Sequence, residues 1–284
     1  MANQAKLGGQ LGGPLGLSPV GGAATPTIQV LLVAGGGAGD SGRYITEFFP
    51  GICSCGGGGG EVLEAEIVAP PVGAYLIEIG AGGIPYGAPG FNFAQHGGQT
   101  KFGSILRAIG GGGAGAGWYQ SGYESTFSTT GFNAAGLSRD GWIPGRILGG
   151  FPGGTSFANY TSILSGGGGG GSGGAGANAT SGAPGIGGVG KFSSFTGSPV
   201  EYGRGGTGGH HSVGRGAPAF GYGGGGGGGR PQESPSLFGE YGNAGIAVFR
   251  YLTGTQLWSG GNVSYSGLHT VHTFTANGTA TRIS

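Results

Sequence analysis

Four nearly pure glycine runs, at positions 56–60, 110–113, 166–171 and 223–229, begin 54 to 57 residues apart. Glycine loses more conformational freedom on folding than any other residue, about 0.5 to 1 kcal/mol beyond alanine in a regular element. The chain holds 80 glycines in 284 residues, so the summed excess is several times the ~5 to 15 kcal/mol that a folded domain retains. Either these runs stay unfolded, or bonding between their backbones offsets the cost.

Disorder is the first reading to test, because Gly and Pro together form about a third of the chain and such a fraction usually marks low complexity. Three features oppose it. Linker glycine comes mixed with serine and charge, whereas these runs alternate with apolar segments and aromatic-rich loops. Hydrophobic residues reach 36% and charged residues only 8%, the reverse of a disordered composition. Collagen fails as well, since glycine holds no third-position register and proline is near its average frequency.

An ordered pure glycine run has one extended solution, the threefold helix of polyproline II geometry, which has no internal hydrogen bonds. Every N–H and C=O then points outward and needs a partner. Without side chains in the way, such helices pack side by side and exchange N–H···O bonds and Cα–H···O contacts. Seven residues from Gly223 span roughly 22 Å in this form.

The remaining sequence reads as a small antiparallel β-framework. Residues 28–34 form a continuous apolar run, as expected for a strand buried on both faces. Residues 61–68 alternate, with Leu63, Ala65 and Ile67 on one face and Glu64 and Glu66 on the other. Residues 75–79 and 102–109 supply further strands, and 246–251 returns toward the first. Residues 268–275 and 279–284, joined by Asn277 and Gly278, read as a closing hairpin or an oligomer contact. No segment sustains a 3.6-residue period. The expected fold is therefore all-β with little or no helix: a β-framework plus a bundle of polyglycine II helices with long loops. Three units are expected: an extended N-terminal docking arm (1–27), a glycine-rich β/polyglycine II domain (28–252) and a C-terminal β-hairpin segment (253–284). The arm carries one charge, Lys6, and Pro14 and Pro19 interrupt any apolar core of a signal peptide.

Several function classes recede on chemistry. A formal net charge of +1 with scattered Lys and Arg gives no electrostatic footprint for nucleic acid. Cys53 and Cys55 are one residue apart, a spacing seldom bridged, and read as thiols in a reducing cytosol. The stretch 37–42 matches the dinucleotide fingerprint after a strand. The helix whose N-terminus must hold the pyrophosphate does not fit before Pro50. The stretch 185–191 resembles a P-loop, but Phe192 stands where a magnesium-binding Ser or Thr is required. His210 and His211 read as exposed loop histidines, and Glu61, Glu64 and Glu66 as a solvated strand edge. No catalytic constellation, cofactor or metal is expected.

A family resemblance rests on five ordered elements: QVLLVAGGG at 29–37, the glycine run 56–60 followed by Glu61 and Val62, the strand and glycines at 73–83, GGQTKFGS at 97–104 leading into 110–113, and GIAVFRY at 245–251. Over about 28–252 the chain resembles the glycine-rich domain of bacteriophage tail-fibre and adhesin proteins. The resemblance implies a virion protein whose polyglycine II bundle holds up loops that touch the bacterial surface. It also implies synthesis in the host bacterial cytoplasm and a place on the virion tail, with other tail proteins and a bacterial polysaccharide or outer-membrane protein as partners. A homotrimer is the first expectation for assembly. In such proteins a strand pair like 271–279 often precedes the domain, and here it follows.

Aromatic residues carry the remaining signal. Loops on a rigid scaffold concentrate binding residues, and aromatic rings stack on sugars or fill apolar pockets with little rotamer entropy to lose. The stretch 118–160 is the longest between major glycine runs and combines nine aromatics with Arg139, Asp140 and Arg146. Trp118, Tyr119, Tyr123, Phe132, Arg139 and Trp142 are the candidate receptor-binding residues, and the two tryptophans are the expected anchors. Stretches 44–49 and 202–222 are the competing tips. The alternative function is a purely structural virion protein, in capsid decoration or tail assembly. A secreted bacterial adhesin ranks third.

Overall fold

The structure, a computed structural model, describes residues 25–41, 54–85, 94–114, 150–158, 164–230 and 238–284. Its strands in chain order are β1 (Thr27–Val33), β2 (Val62–Val68), β3 (Gly73–Glu78), β4 (Thr100–Phe102), β5 (Leu106–Ala108), β6 (Phe157–Ala158), β7 (Leu164–Ser165), β8 (Lys191–Ser193), β9 (Val200–Tyr202), β10 (Ile246–Leu252), β11 (Trp258–Ser259), β12 (Asn262–Ser266), β13 (His269–Phe274) and β14 (Gly278–Arg282). The described residues contain no helix. The fold is all-β, as the absence of a helical period implies.

Two five-stranded antiparallel sheets form a sandwich, ordered β12-β13-β10-β1-β2 and β11-β14-β3-β4-β5. Alternation places Ile28, Val30 and Leu32 of β1 and Phe249 and Tyr251 of β10 on the inner face, against Ile77, Phe102, Trp258 and Ala280 of the second sheet. Aromatic rings dominate this core. Phe249 stands edge-on to Phe102 at 5.7 Å, lies 5.0 Å from Trp258, and stacks on the His272 imidazole at 4.6 Å. The other face of the first sheet, with Leu31, Val33, Val248 and Val271, is covered by Tyr202 and Phe195 from the β8–β9 hairpin. β1 is therefore buried on both sides, which is why its sequence is apolar without alternation. β2 alternates because one face meets the core while Glu64 and Glu66 remain exposed.

Two strand expectations are revised. Residues 102–109 are not one strand: Gly103, at φ 52°, opens a turn and the chain doubles back as β4 and β5. Residues 268–275 and 279–284 do not pair with each other either. β13 pairs with β10 and β12 in the first sheet, and β14 pairs with β3 and β11 in the second, so the chain crosses the sandwich between them. The Asn277 side chain accepts a hydrogen bond from the Ile79 N–H at 2.7 Å, tying this corner to the second sheet.

The glycine segments stand on one end of the sandwich as a bundle of threefold rods. In residues 34–40, the N–H groups of Ala34, Gly37 and Asp40 donate to the carbonyls of Glu61, Gly58 and Cys55. Those of Gly35 and Ala38 donate to Gly98 and Gln95, and those of Gly36 and Gly39 to Asn243 and Glu240. Every third amide thus meets the same neighbour, the signature of three residues per turn. The rod's carbonyls accept in the same manner, Gly35 and Ala38 from Gly111 and Ala114, Gly37 and Asp40 from Gly226 and Gly229, and Gly36 from Gly83. These bonds measure 2.7–3.0 Å and link the rod to six neighbouring segments, those containing Gly58, Gly98, Asn243, Gly111, Gly226 and Gly83. The glycine run 56–60 repeats the pattern: Gly56 and Gly59 donate to Gly167 and Gly170, Gly57 and Gly60 to Gly226 and Gly223, and Gly58 and Glu61 to Gly112 and Ile109. All four runs singled out by spacing therefore meet in one backbone core.

Thr100 joins bundle to sandwich. Its buried hydroxyl donates to the Val33 carbonyl at 2.7 Å, where β1 becomes a rod, and accepts from the Gly80 N–H at 3.0 Å, where the chain leaves β3.

Candidate functional site: the loop-bearing end of the bundle

The hydrogen-bond register fixes the polarity of the rods. Residues 34–40 lead away from β1 and residues 54–61 lead back into β2, with Asp40 bonded to Cys55 at the far end and Ala34 to Glu61 at the near end. Ala38 bonds to both Gln95 and Ala114, Gly229 to Asp40, and Gly39 to Glu240, so these residues share the level of the far end. The chain leaves the described bundle near that end at residues 41, 85, 114 and 230, and returns there at 54, 94 and 238. Thr25 and Pro26, which enter β1 beside Ala69, lie at the opposite end of the sandwich.

The candidate residues Trp118, Tyr119, Tyr123, Phe132, Arg139 and Trp142 lie outside the described residues, as do Tyr44, Phe48 and Phe49. The ends flanking 115–149 are described. Ala114 is buried at the far end, against Ala38. Phe151, half exposed, donates to Gly171 at the opposite end of the run 166–171, whose Gly167 and Gly170 are bonded to Gly56 and Gly59. The two ends thus sit at different levels, separated by about three residues of rod, or ~9 Å.

Among the other aromatics the structure separates cover from surface. Tyr202 is buried and Phe195 packs beside it, under the Arg250 guanidinium at 4.5 Å from the ring centre. Phe192 and Phe220 are exposed, at 64% and 82%. Within the competing stretch 202–222, it is Phe220 and Tyr222 that face outward.

Asp40 and its neighbours form a polar cluster at the end of the rod that sequence reading passed over. The Asp40 carboxylate is almost wholly buried; one oxygen accepts the Ser41 N–H at 2.8 Å and the other has no hydrogen-bond partner among the described residues. Burial pushes its pKa up to about 8, against the smaller opposing effect of the Ser41 amide. The Ser54 hydroxyl donates to the Asp40 carbonyl, the Gly239 N–H donates to Ser41 Oγ at 3.0 Å, and Cys55 Sγ lies 3.0 Å from Ser156 Oγ. The signal available in sequence is an acid placed directly at the end of a glycine stretch, where backbone packing leaves it no route to water.

Three further expectations are corrected or refined. His210 is buried rather than exposed: Nδ1 accepts from the Ser212 and Val213 amides at 3.2 Å, so Nε2 carries the proton toward the Ser181 carbonyl at 3.3 Å. Glu61 is not part of a solvated edge, because its buried carboxylate accepts the Ile109 N–H at 2.8 Å. Glu64 and Glu66 are on the surface, with Lys191 Nζ 3.5 Å from Glu64 and the Gln29 amide 3.4 Å from Glu66. In the stretches that imitate nucleotide-binding loops, the amides of Gly37, Ala38 and Gly39 are bonded to Gly58, Gln95 and Glu240, and those of Gly185 and Gly188 to Gly166 and Gly169. A phosphate would have to displace rod–rod bonds to reach them. Among the described residues no group of three or more His, Cys, Asp or Glu could hold a metal ion, and no helix is long and apolar enough to cross a membrane.

The family model described as a glycine-rich domain matches residues 20–252. No curated protein and no solved structure matches the chain.

Proposed function

This chain belongs to the glycine-rich domain family, and on that premise we propose that it is a tail-fibre or tail-tip protein of a tailed bacteriophage that displays loops for attachment to the host surface. The mechanism is display rather than chemistry. The observation that carries the reading is the convergence of chain exits at residues 41, 85, 114 and 230 on one end of the bundle, opposite the end where Thr25 enters the sandwich. Rods bonded on several sides by backbone resist bending, so whatever binding groups lie between these exits are held on a stiff support. The partners that suit aromatic-rich loops with adjacent arginines are a bacterial surface polysaccharide or an exposed segment of an outer-membrane protein, and the base faces other tail proteins. The place of action is the virion tail.

Trp142→Ala combined with Tyr123→Ala is expected to leave virion assembly and the melting temperature unchanged. It should weaken binding of the purified protein to host cells about thirtyfold, the loss of one ~2 kcal/mol hot spot. Competition of purified protein with phage for adsorption measures this. Normal adsorption by the double variant sinks the loop assignment. Failure of the wild-type protein to compete at all favours a purely structural role in the virion.

A further inference from the structure

The four edges of the two sheets differ sharply. β2 carries Glu64 and Glu66, with Lys191 beside the first. β5 is three residues long and includes Arg107, and β11 is two residues long. Charge and shortness are the usual means by which a sheet edge avoids pairing with another chain. β12 has neither: Asn262–Ser266 is five residues long, uncharged and exposed over four of its five positions.

We infer that β12 is a homotypic contact, pairing antiparallel with β12 of a second copy of this chain. The sequence of the strand is suited to its own reverse. A two-fold axis at Ser264 sets Ser264 opposite Ser264 of the second copy, Asn262 opposite Ser266, and Val263 opposite Tyr265. The last pair occurs twice and is of the β-branched–aromatic kind that stabilises cross-strand neighbours. Val263 and Tyr265, 50% and 74% exposed, stand opposite His272 and Thr270 of β13, and His272 stacks on Phe249 of the core. Pairing therefore continues the inner face of the first sheet from one copy into the next. No charge on either strand opposes the approach, and the isologous geometry closes at two copies. The hairpin turn at Gly267, φ 57°, and Leu268, 77% exposed, lies at the rim of the same contact. A five-residue edge is a small interface, below about 1,200 Å², so the association is concentration-dependent. It does not depend on what the loops bind.

Sedimentation equilibrium of the purified chain from about 1 to 100 µM, the range suited to a weak contact of this size, tests the inference. The expected result is a monomer–dimer equilibrium that Ser264→Lys and Tyr265→Lys each shift at least tenfold toward monomer. Val72→Lys, at an equally exposed apolar position away from β12, leaves it unchanged. Thermal unfolding of the lysine variants should match wild type, since both positions are exposed. A wild-type chain that stays monomeric throughout this range overturns the inference, as does any oligomer, trimer included, that both lysine variants leave intact.

Discussion

Gly226→Val is expected to destabilise the protein by about 4 kcal/mol or more, placing it among the exceptional single substitutions. A Cβ at this position would fall on the Glu240 carbonyl oxygen and within 2.7 Å of the Gly39 amide nitrogen. Both obstacles are backbone, so no side-chain rotation relieves them. Rods 37–40, 57–60 and 240–243 all bond to this run, and a shift of one rod disturbs each of them. The matched control is Gly182→Val, where an added Cβ meets nothing within 4 Å. Calorimetric melting should show a large loss for the first variant and a change within about 0.5 kcal/mol for the second. Equal melting temperatures for Gly226→Val and wild type would remove the packing argument.

The second large effect concerns pH. In the folded protein burial pushes the Asp40 carboxyl up to about 8 from its ordinary 3.8. Between those values the native state holds a proton that the unfolded chain has lost. The contribution of Asp40 is therefore fully present below pH 4, declines as pH rises through the window, and is gone above pH 8. At 1.36 kcal/mol per unit the whole window is worth about 5 kcal/mol. His272 acts in the opposite sense at the acid side, because burial lowers its pKa and protonation of the unfolded chain below pH 6.5 costs native stability. The Asp40 contribution is isolated by comparing wild type with Asp40→Asn at each pH. The difference in unfolding free energy should change steadily between pH 5 and 8, with wild type gaining on the variant as pH falls. Parallel profiles would show that this carboxyl reaches solvent.

Much of the scaffold is legible in the sequence because its constraints are local. Apolar continuity in 28–33 reports burial on both faces, the alternation around Glu64 and Glu66 reports one exposed face, and an uninterrupted glycine run has few ordered states available. Long-range bonding is what local patterns cannot show. Leu268 to Thr275 has strand composition, but which neighbour it takes is decided by β10 and by the Ile79 amide that fixes the corner at Asn277, both distant in sequence. His210 looks like a loop residue until the Ser212 and Val213 amides close over its ring nitrogen. Glu61 looks like the start of an exposed alternation until the Ile109 amide takes its carboxylate. The candidate binding residues rest on the length of the stretch 118–160 and on its aromatic and charged content. What the fold adds to that choice is position: residue 114 leaves at the far end of the bundle and residue 150 returns nearer the sandwich.

Amide hydrogen exchange resolved to single residues, or to peptides covering 54–61, 166–171 and 223–229, tests the backbone-cored bundle most directly. Apart from Cys55 these segments carry no apolar side chain, and the amides of Gly57, Gly169 and Gly226 are held by bonds from rod to rod. Gly57, Gly169 and Gly226 are expected to exchange as slowly as Val30 and Phe249 of the sandwich core, at rates set by global unfolding. Exchange of the glycine amides at the rate of free peptides, with the sandwich still protected, would contradict the backbone-cored bundle.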